Sequence, residues 1–177
     1  GNALTVEGLQ RKLGPLSFGR KGFAKPGAIR RNTGNNTPGR GAMKLEGGCY
    51  CGKVRYEAEG EPMMKAQCHC RECQYISGGS TNMFLVMPIT GFKYTGEAPK
   101  QFKRADLDRA VTREFCAECG THLVTRPPGL PGVVIKVGTL DETSLFDGPT
   151  IAIYTIDKQP YHHVPEGMPA FERLPGQ

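Results

Sequence analysis

The chain has 177 residues, a formal charge of +6 and a hydrophobic fraction of 38%. This length and composition predict one domain with a modest core. No apolar run approaches the ~20 residues that a bilayer span needs, which excludes a membrane-spanning helix, and we expect a soluble protein.

The basic excess is confined to residues 1–42, which carry eight Lys/Arg against one acidic residue. Turn-forming pairs such as Gly14-Pro15 interrupt this stretch too often for a helix or strand to propagate. We predict a basic arm of low structure over residues 1–42 and a domain over residues 43–177, with Met43 as an alternative start. The arm has neither interleaved aromatic residues nor a helix-turn-helix pattern, so nucleic acid is not an expected partner.

From Met43 onward, short alternating or apolar segments separated by turn residues predict a mostly β fold. The predicted strands cover residues 54–58, 83–87, 111–115, 122–125, 133–137 and 150–154. One short helix is predicted from Arg71 to about Ser77, where Gly78-Gly79 provides a stop.

Seven cysteines form three tight clusters, which are Cys49-x-Cys51, Cys68-x-Cys70-x-x-Cys73 and Cys116-x-x-Cys119. A disulfide framework is the alternative explanation. The odd count, the one-residue gaps and the absence of a visible secretory signal favour free thiols in a reducing cytoplasm instead. A closed structural zinc site takes four thiolates, whereas a catalytic zinc keeps three protein ligands and an open position. Seven cysteines therefore predict one site of each kind.

The positions of the clusters along the chain decide which site each one forms. The first and third clusters lie much farther apart than the ~15 to 20 residues of a local zinc ribbon, so together they would tie distant parts of the domain. The second cluster is local, and a turn from a strand into a helix can aim its three sulfurs at one point. Three thiolates make zinc a weak Lewis acid, suited to binding a thiol or polarising an aldehyde.

Polar residues near the clusters are weaker candidates. His69 lies between two predicted ligands, but adjacent side chains of a strand point to opposite faces, so we do not expect it to bind metal. His122 is either a fourth ligand or a residue beside the site. The adjacent His162-His163 cannot easily share one metal, which predicts a surface loop. Three polar residues of the first helical turn are expected either to be solvated or to line the open site, namely Arg71, Glu72 and Gln74.

The ordered motifs resemble the glutathione-dependent formaldehyde-activating enzyme family, also called the centromere protein V/Gfa domain. They are Gly47-Gly48-Cys49-Tyr50-Cys51-Gly52-Lys53-Val54-Arg55-Tyr56, Cys68-His69-Cys70-Arg71-Glu72-Cys73, Arg113-Glu114-Phe115-Cys116-Ala117-Glu118-Cys119-Gly120 and Val137-Gly138-Thr139-Leu140-Asp141. The resemblance covers about Lys44 to Pro175 and implies a mostly β, β-tent (Mss4-like) fold. It also implies a structural zinc on Cys49, Cys51, Cys116 and Cys119. The catalytic zinc, which need not stay bound, would be held by Cys68, Cys70 and Cys73.

The resemblance further implies a carbon-sulfur lyase, since the founding activity of the family joins formaldehyde and glutathione into S-hydroxymethylglutathione. The expected partner is a small thiol or aldehyde, glutathione among them, and assembly into a homo-oligomer is left open. Ala152 stands where the family usually has a histidine and Tyr161 where it has tryptophan, which predicts weak selectivity for glutathione over simpler thiols. The alternative function is a zinc-stabilised binding module without catalytic activity, which closure of the open position by a protein side chain would favour.

Overall fold

The computed structural model describes residues 42–176, so the predicted arm lies outside the described residues except for its last position. Within that range the chain forms ten strands and one α-helix, together with four short 3-10 turns. No helix in the described range is long and apolar enough to cross a membrane. The elements are β1 (Met43–Gly48), β2 (Arg55–Gly60), β3 (Met64–Cys68), α1 (Arg71–Ser77), β4 (Asn82–Pro88), β5 (Phe92–Tyr94), β6 (Lys100–Phe102), β7 (Thr112–Phe115), β8 (His122–Arg126), β9 (Gly132–Lys136) and β10 (Ile151–Ile153).

The strands form two sheets. The smaller sheet has the order β1-β2-β5 and is antiparallel. The larger sheet has the order β10-β3-β4-β9-β8-β7-β6, and β10 joins it as a parallel neighbour of β3. The prediction of a mostly β, β-tent (Mss4-like) fold with one short helix is confirmed.

Strand β4 places hydrophobic side chains on both faces of the larger sheet, because successive side chains of a strand alternate. Leu85 and Met87 belong to a cluster between the two sheets, whereas Phe84 and Val86 belong to a second cluster on the opposite face. A central strand that is buried on both sides reads as a continuous apolar run, which is the pattern the sequence shows here.

The Gly-Thr-Leu-Asp turn fastens the smaller sheet to the larger one. The Tyr56 hydroxyl hydrogen-bonds Thr139 Oγ1 at 2.8 Å, and Arg55 forms a two-pronged ion pair with Asp141. A Cβ atom at Gly47 would overlap the Tyr56 hydroxyl and the Thr139 carbonyl. Only glycine therefore lets β1 approach this turn so closely.

Helix α1 spans the residues predicted for it, and a cysteine caps its start. Cys70 is the N-cap, and its Sγ accepts a hydrogen bond from the backbone N–H of Cys73 at 3.3 Å. Gly78 ends the helix at φ 69°, in the left-handed region that favours glycine. The cap thus fixes the direction of the Cys70 sulfur, one of the three in this cluster.

Candidate metal centres and the adjoining cavity

The first and third cysteine clusters meet in space. Their four sulfurs all lie within 4.8 Å of one another. The Cys51 sulfur is 3.4 Å from that of Cys49 and 3.6 Å from that of Cys116. A tetrahedral zinc with Zn–S bonds of about 2.3 Å places its sulfurs about 3.8 Å apart, whereas a disulfide needs about 2.05 Å. The spacing fits a zinc ion, and all seven cysteines are free.

Two tight turns present these four sulfurs. In the turn after β1, Gly52 N–H donates to the Cys49 carbonyl at 3.0 Å, and Val54 N–H donates to Cys49 Sγ at 3.3 Å. In the turn between β7 and β8, Gly120 N–H donates to the Cys116 carbonyl at 2.9 Å. Because the cysteines at positions 49 and 116 also belong to the cluster between the sheets, a metal here would fasten one sheet to the other.

The second cysteine cluster converges where β3 turns into α1. Cys68 and Cys73 are buried, and Cys70 is partly exposed. Backbone N–H groups approach the sulfurs of Cys68 and Cys70 at 3.5 and 3.3 Å, and Asn82 Nδ2 donates to Cys73 Sγ at 3.7 Å. These donors favour thiolates, the form that binds metals. Among residues 42–176, no further histidine, cysteine or carboxylate completes this group of three.

The close packing of the three sulfurs determines which thiol loses its proton first. Hydrogen bonds from Cys68 and Cys70 lower the pKa of Cys73, whereas the bonds that Cys68 makes with Cys70 and Cys73 raise the pKa of Cys68. The cluster therefore favours one thiolate from the outset. Binding of a metal would release the remaining thiol protons, because only thiolates act as ligands.

A cavity of about 880 Å³ opens onto the three sulfurs, within the size range of ligand pockets. Part of its wall is apolar, with Phe84, Val86 and Val134 from β4 and β9. Five of its lining side chains are cationic, namely Arg71, Arg109, Arg113, Lys136 and Arg173, and two are carboxylates, Glu72 and Asp157. This excess of positive charge favours an anionic ligand.

The two most buried cations of the cavity differ in their partners. Arg113 Nη2 lies 2.5 Å from Glu72 Oε2, so its charge is paired. Lys136 is only 7% exposed, lies 6.0 Å from the centroid of the Phe84 ring, and forms no ion pair with any described carboxylate. Burial lowers the pKa of Lys136 to about 8, against the opposing charge of Cys73. At pH 7 the ammonium is still the main form.

Two side chains near this lysine carry polar atoms that have no hydrogen-bond partner in the described part of the chain. Thr125 Oγ1, in the cavity lining, and both ring nitrogens of His122 are buried without a hydrogen bond. Burial lowers the pKa of His122 to about 3, with further contributions from the positive charges of Lys136 and Arg113, so the ring is neutral. His122 belongs to neither group of cysteines, so the structure does not place it as a fourth ligand.

His69 turns away from the sulfurs, as predicted, and enters a buried network. Its Nδ1 lies 3.1 Å from His162 Nδ1, and His162 Nε2 lies 2.9 Å from the Gly79 carbonyl. Since Nε2 must donate to that carbonyl, a neutral His162 accepts from His69 at Nδ1. The surface-loop prediction is therefore wrong for His162, which is 7% exposed because both ring nitrogens find partners, and His163 alone is exposed.

The polar residues of the first helical turn separate into two groups. Arg71 and Glu72 line the cavity. Gln74 does not, and it is buried, so solvation was the wrong expectation for it. Its amide donates to the carbonyls of His69 and Asp157 at 2.7 and 3.0 Å, which holds the cysteine loop against the segment that follows β10.

Neither position that departs from the family pattern lines the cavity. Ala152 is fully buried on β10, where it pairs with Gln67 of β3. Tyr161 is 70% exposed and borders a separate pocket beside His162. Neither side chain would touch a ligand bound at the three sulfurs. Direct contacts of Ala152 and Tyr161 therefore do not explain the predicted weak selectivity for glutathione.

Comparison with known proteins agrees with the motifs. The family model described as glutathione-dependent formaldehyde-activating enzyme matches residues 44–157. No curated protein sequence matches the chain. Among solved structures, a crystal structure of a Rhodobacter sphaeroides protein is similar, with 17% identity, a TM-score of 0.47 and coverage of 59% of this chain and 98% of that one. Because the family match spans more than half of the chain and all seven cysteines, the chain belongs to the glutathione-dependent formaldehyde-activating enzyme family.

Proposed function

We propose that this protein is a zinc-dependent carbon-sulfur lyase, which makes and breaks the bond between a thiol sulfur and an aldehyde carbon. S-hydroxymethylglutathione is the adduct that the family membership favours. One observation carries the proposal: three converging cysteines, without a fourth protein ligand among the described residues, face a cavity large enough for a small substrate.

The two cysteine groups would have different roles. Cys68, Cys70 and Cys73 would hold the catalytic zinc, and the four-cysteine group would hold a structural one. Zinc on three thiolates supplies one exchangeable position for a soft ligand and polarises a neighbouring oxygen. The donor hydrogen bonds from the backbone and Asn82 keep the cysteine sulfurs anionic and fixed in direction.

The cavity itself would bind and orient the reactants. Its cationic lining attracts an anionic thiol such as glutathione, and its apolar wall keeps water from the reacting carbon. In the addition direction the thiol gives up its proton, its sulfur bonds to the aldehyde carbon, and the electron pair of the carbonyl moves to oxygen. That oxygen takes up a proton, so the step needs neither oxidant nor reductant.

Exchange measurements would test the proposal. With 13C-formaldehyde and glutathione, exchange NMR gives the rate at which free and adduct carbon interconvert. We expect the zinc-loaded protein to accelerate this exchange and Cys70→Ser to remove the acceleration. Lys93→Gln, which changes an exposed lysine paired with Glu57 on the smaller sheet, is the matched control and should behave as the parent. Equal rates for the parent and Cys70→Ser would refute a catalytic role for the three-cysteine group.

The alternative, a zinc-stabilised binding module, would be favoured by a protein side chain that closes the three-cysteine group. In the described range none does. The free state of all seven cysteines supports, as part of the same proposal, the reducing cytoplasmic setting expected from the sequence.

A further inference from the structure

Lys136 is the most buried cation of the cavity, and it forms no ion pair with a carboxylate of residues 42–176. It ends β9, deep in the cavity and on the same face as Phe84, and its side chain is almost fully enclosed. The neighbouring Arg113 is neutralised by Glu72. Among the described residues, the charges of the cysteine sulfurs, Cys73 first, favour the charged form of Lys136, and the charge of Arg113 opposes them.

An enclosed ammonium without an ion-pair partner lowers stability, because lysine is rarely buried unless it is paired. A methionine of similar length would fill the same space without that cost. Among the described residues, a hydroxyl on the same face has no hydrogen-bond partner. Thr125 pairs with Val134 on β9, so its buried hydroxyl lies diagonally across from Lys136, within reach of a long side chain.

These groups suit one kind of ligand atom. A carboxylate oxygen accepts hydrogen bonds from an ammonium and a hydroxyl together, and its charge would balance the lysine. Lys136 and Thr125 line the same cavity as the three sulfurs, and Lys136 is close enough for the sulfur charges to act on it. We therefore expect a ligand that reaches both to carry its carboxylate only a few bonds from its own sulfur. The two carboxylates of glutathione lie farther from its thiol along a flexible chain.

We propose that Lys136 and Thr125 form a carboxylate subsite, which makes short acidic thiols preferred ligands of this cavity. The inference rests on the proposed function only in that a thiol occupies the open side of the three-cysteine group. It also supplies a physical basis for weak selectivity toward glutathione, one that does not depend on Ala152 or Tyr161.

Calorimetric titration at pH 7 of the zinc-loaded full chain tests the subsite. Mercaptoacetate and its methyl ester carry the same thiol, but only the first carries a carboxylate. We expect Lys136→Met to reduce the affinity ratio of acid to ester by about tenfold or more, as for a hydrogen bond to a charged group. Comparing ratios between variants cancels the difference in thiol acidity. Lys136→Arg should keep part of the preference, and the exposed control Lys44→Met should keep all of it.

Melting temperature and zinc content separate this role from a structural one. Lys136→Met should melt at or above the temperature of the parent and keep its zinc, because it removes a buried charge. An unchanged ratio in Lys136→Met, an equal loss in Lys44→Met, or no thiol binding by the parent would overturn the subsite. Loss of zinc or of folding in Lys136→Met would also overturn it, since the lysine would then serve the sulfurs or the core.

The measurements distinguish failure of the subsite from failure of the proposed reaction. A lysine-dependent preference for mercaptoacetate without faster adduct exchange would leave the subsite standing and reject the lyase. Faster adduct exchange without that preference would support the lyase and reject the subsite.

Discussion

Replacement of Cys116 by serine should remove most of the stability of this domain. Cys116 is 2% exposed, belongs to the cluster between the sheets, and brings its sulfur to 3.6 Å from that of Cys51. A structural zinc contributes about 10–16 kcal/mol in small zinc-binding peptides, whereas a whole domain is stable by about 5–15 kcal/mol. Loss of about a third of the zinc contribution would therefore cost ~3–5 kcal/mol, a large part of the total.

This cost translates into a large change of melting temperature. For a domain of this size, 1 kcal/mol corresponds to about 3–4 °C, so Cys116→Ser should melt about 10–20 °C lower or show no cooperative transition. The assay is thermal unfolding followed by circular dichroism, with zinc per chain measured on the same samples. Cys70→Ser is the comparison: its sulfur is partly exposed and caps a short helix, so the variant should melt within a few degrees of the parent and keep one zinc.

Similar losses of stability in Cys116→Ser and Cys70→Ser would refute the reasoning, because the two groups of cysteines would then contribute alike to the fold. A Cys116→Ser protein that still binds two zinc ions and melts at the temperature of the parent would also refute it.

Three further outcomes are expected. Glu114 is 2% exposed and accepts from Tyr94, Gln101 and Arg126; Glu114→Ala should cost about 3 kcal/mol in urea unfolding, since it strands a partly buried arginine, and a change below 0.5 kcal/mol would contradict this. A chain that begins at Met43 should melt within a few degrees of the full chain, because every cysteine follows that residue; a large drop would make the arm structural. Thiol binding should strengthen as pH rises toward the thiol pKa of ~8.5, because the thiolate is the ligand; calorimetry showing tighter binding at lower pH would oppose it.

Local signals in the sequence were sufficient for the helix and for the buried strands. Arg71 to Ser77 is bounded by a capping cysteine and a left-handed glycine, so both ends are encoded nearby. All six predicted strands exist, with shifted ends. Four strands were missed: β1 is rich in glycine, β3 is polar and short, and β5 and β6 have three residues each. Partners distant in sequence, rather than propensity, define such strands.

Ligand counting predicted the cysteine groups of the candidate site. The side chains whose environment depends on burial were not predicted. Four plus three cysteines gave both groups, because coordination number is a property of the metal. The burial of His162 depends on His69 and the Gly79 carbonyl, which lie far away along the chain. The strand prediction did not consider the charge of Lys136, which lies within the apolar run Val133–Val137. A lysine in such a run is a candidate for a buried charge, and Lys136 is buried.

Cobalt substitution tests the central claim, that the chain holds two unequal metal sites of which one is open to a thiol. Tetrahedral cobalt(II) thiolates absorb visible light, so titration counts the sites and reports changes in their ligands. We predict two cobalt ions per chain and a spectral change at one site on addition of mercaptoacetate, absent in Cys70→Ser. A single cobalt per chain, or a spectrum that no thiol alters, would contradict the account.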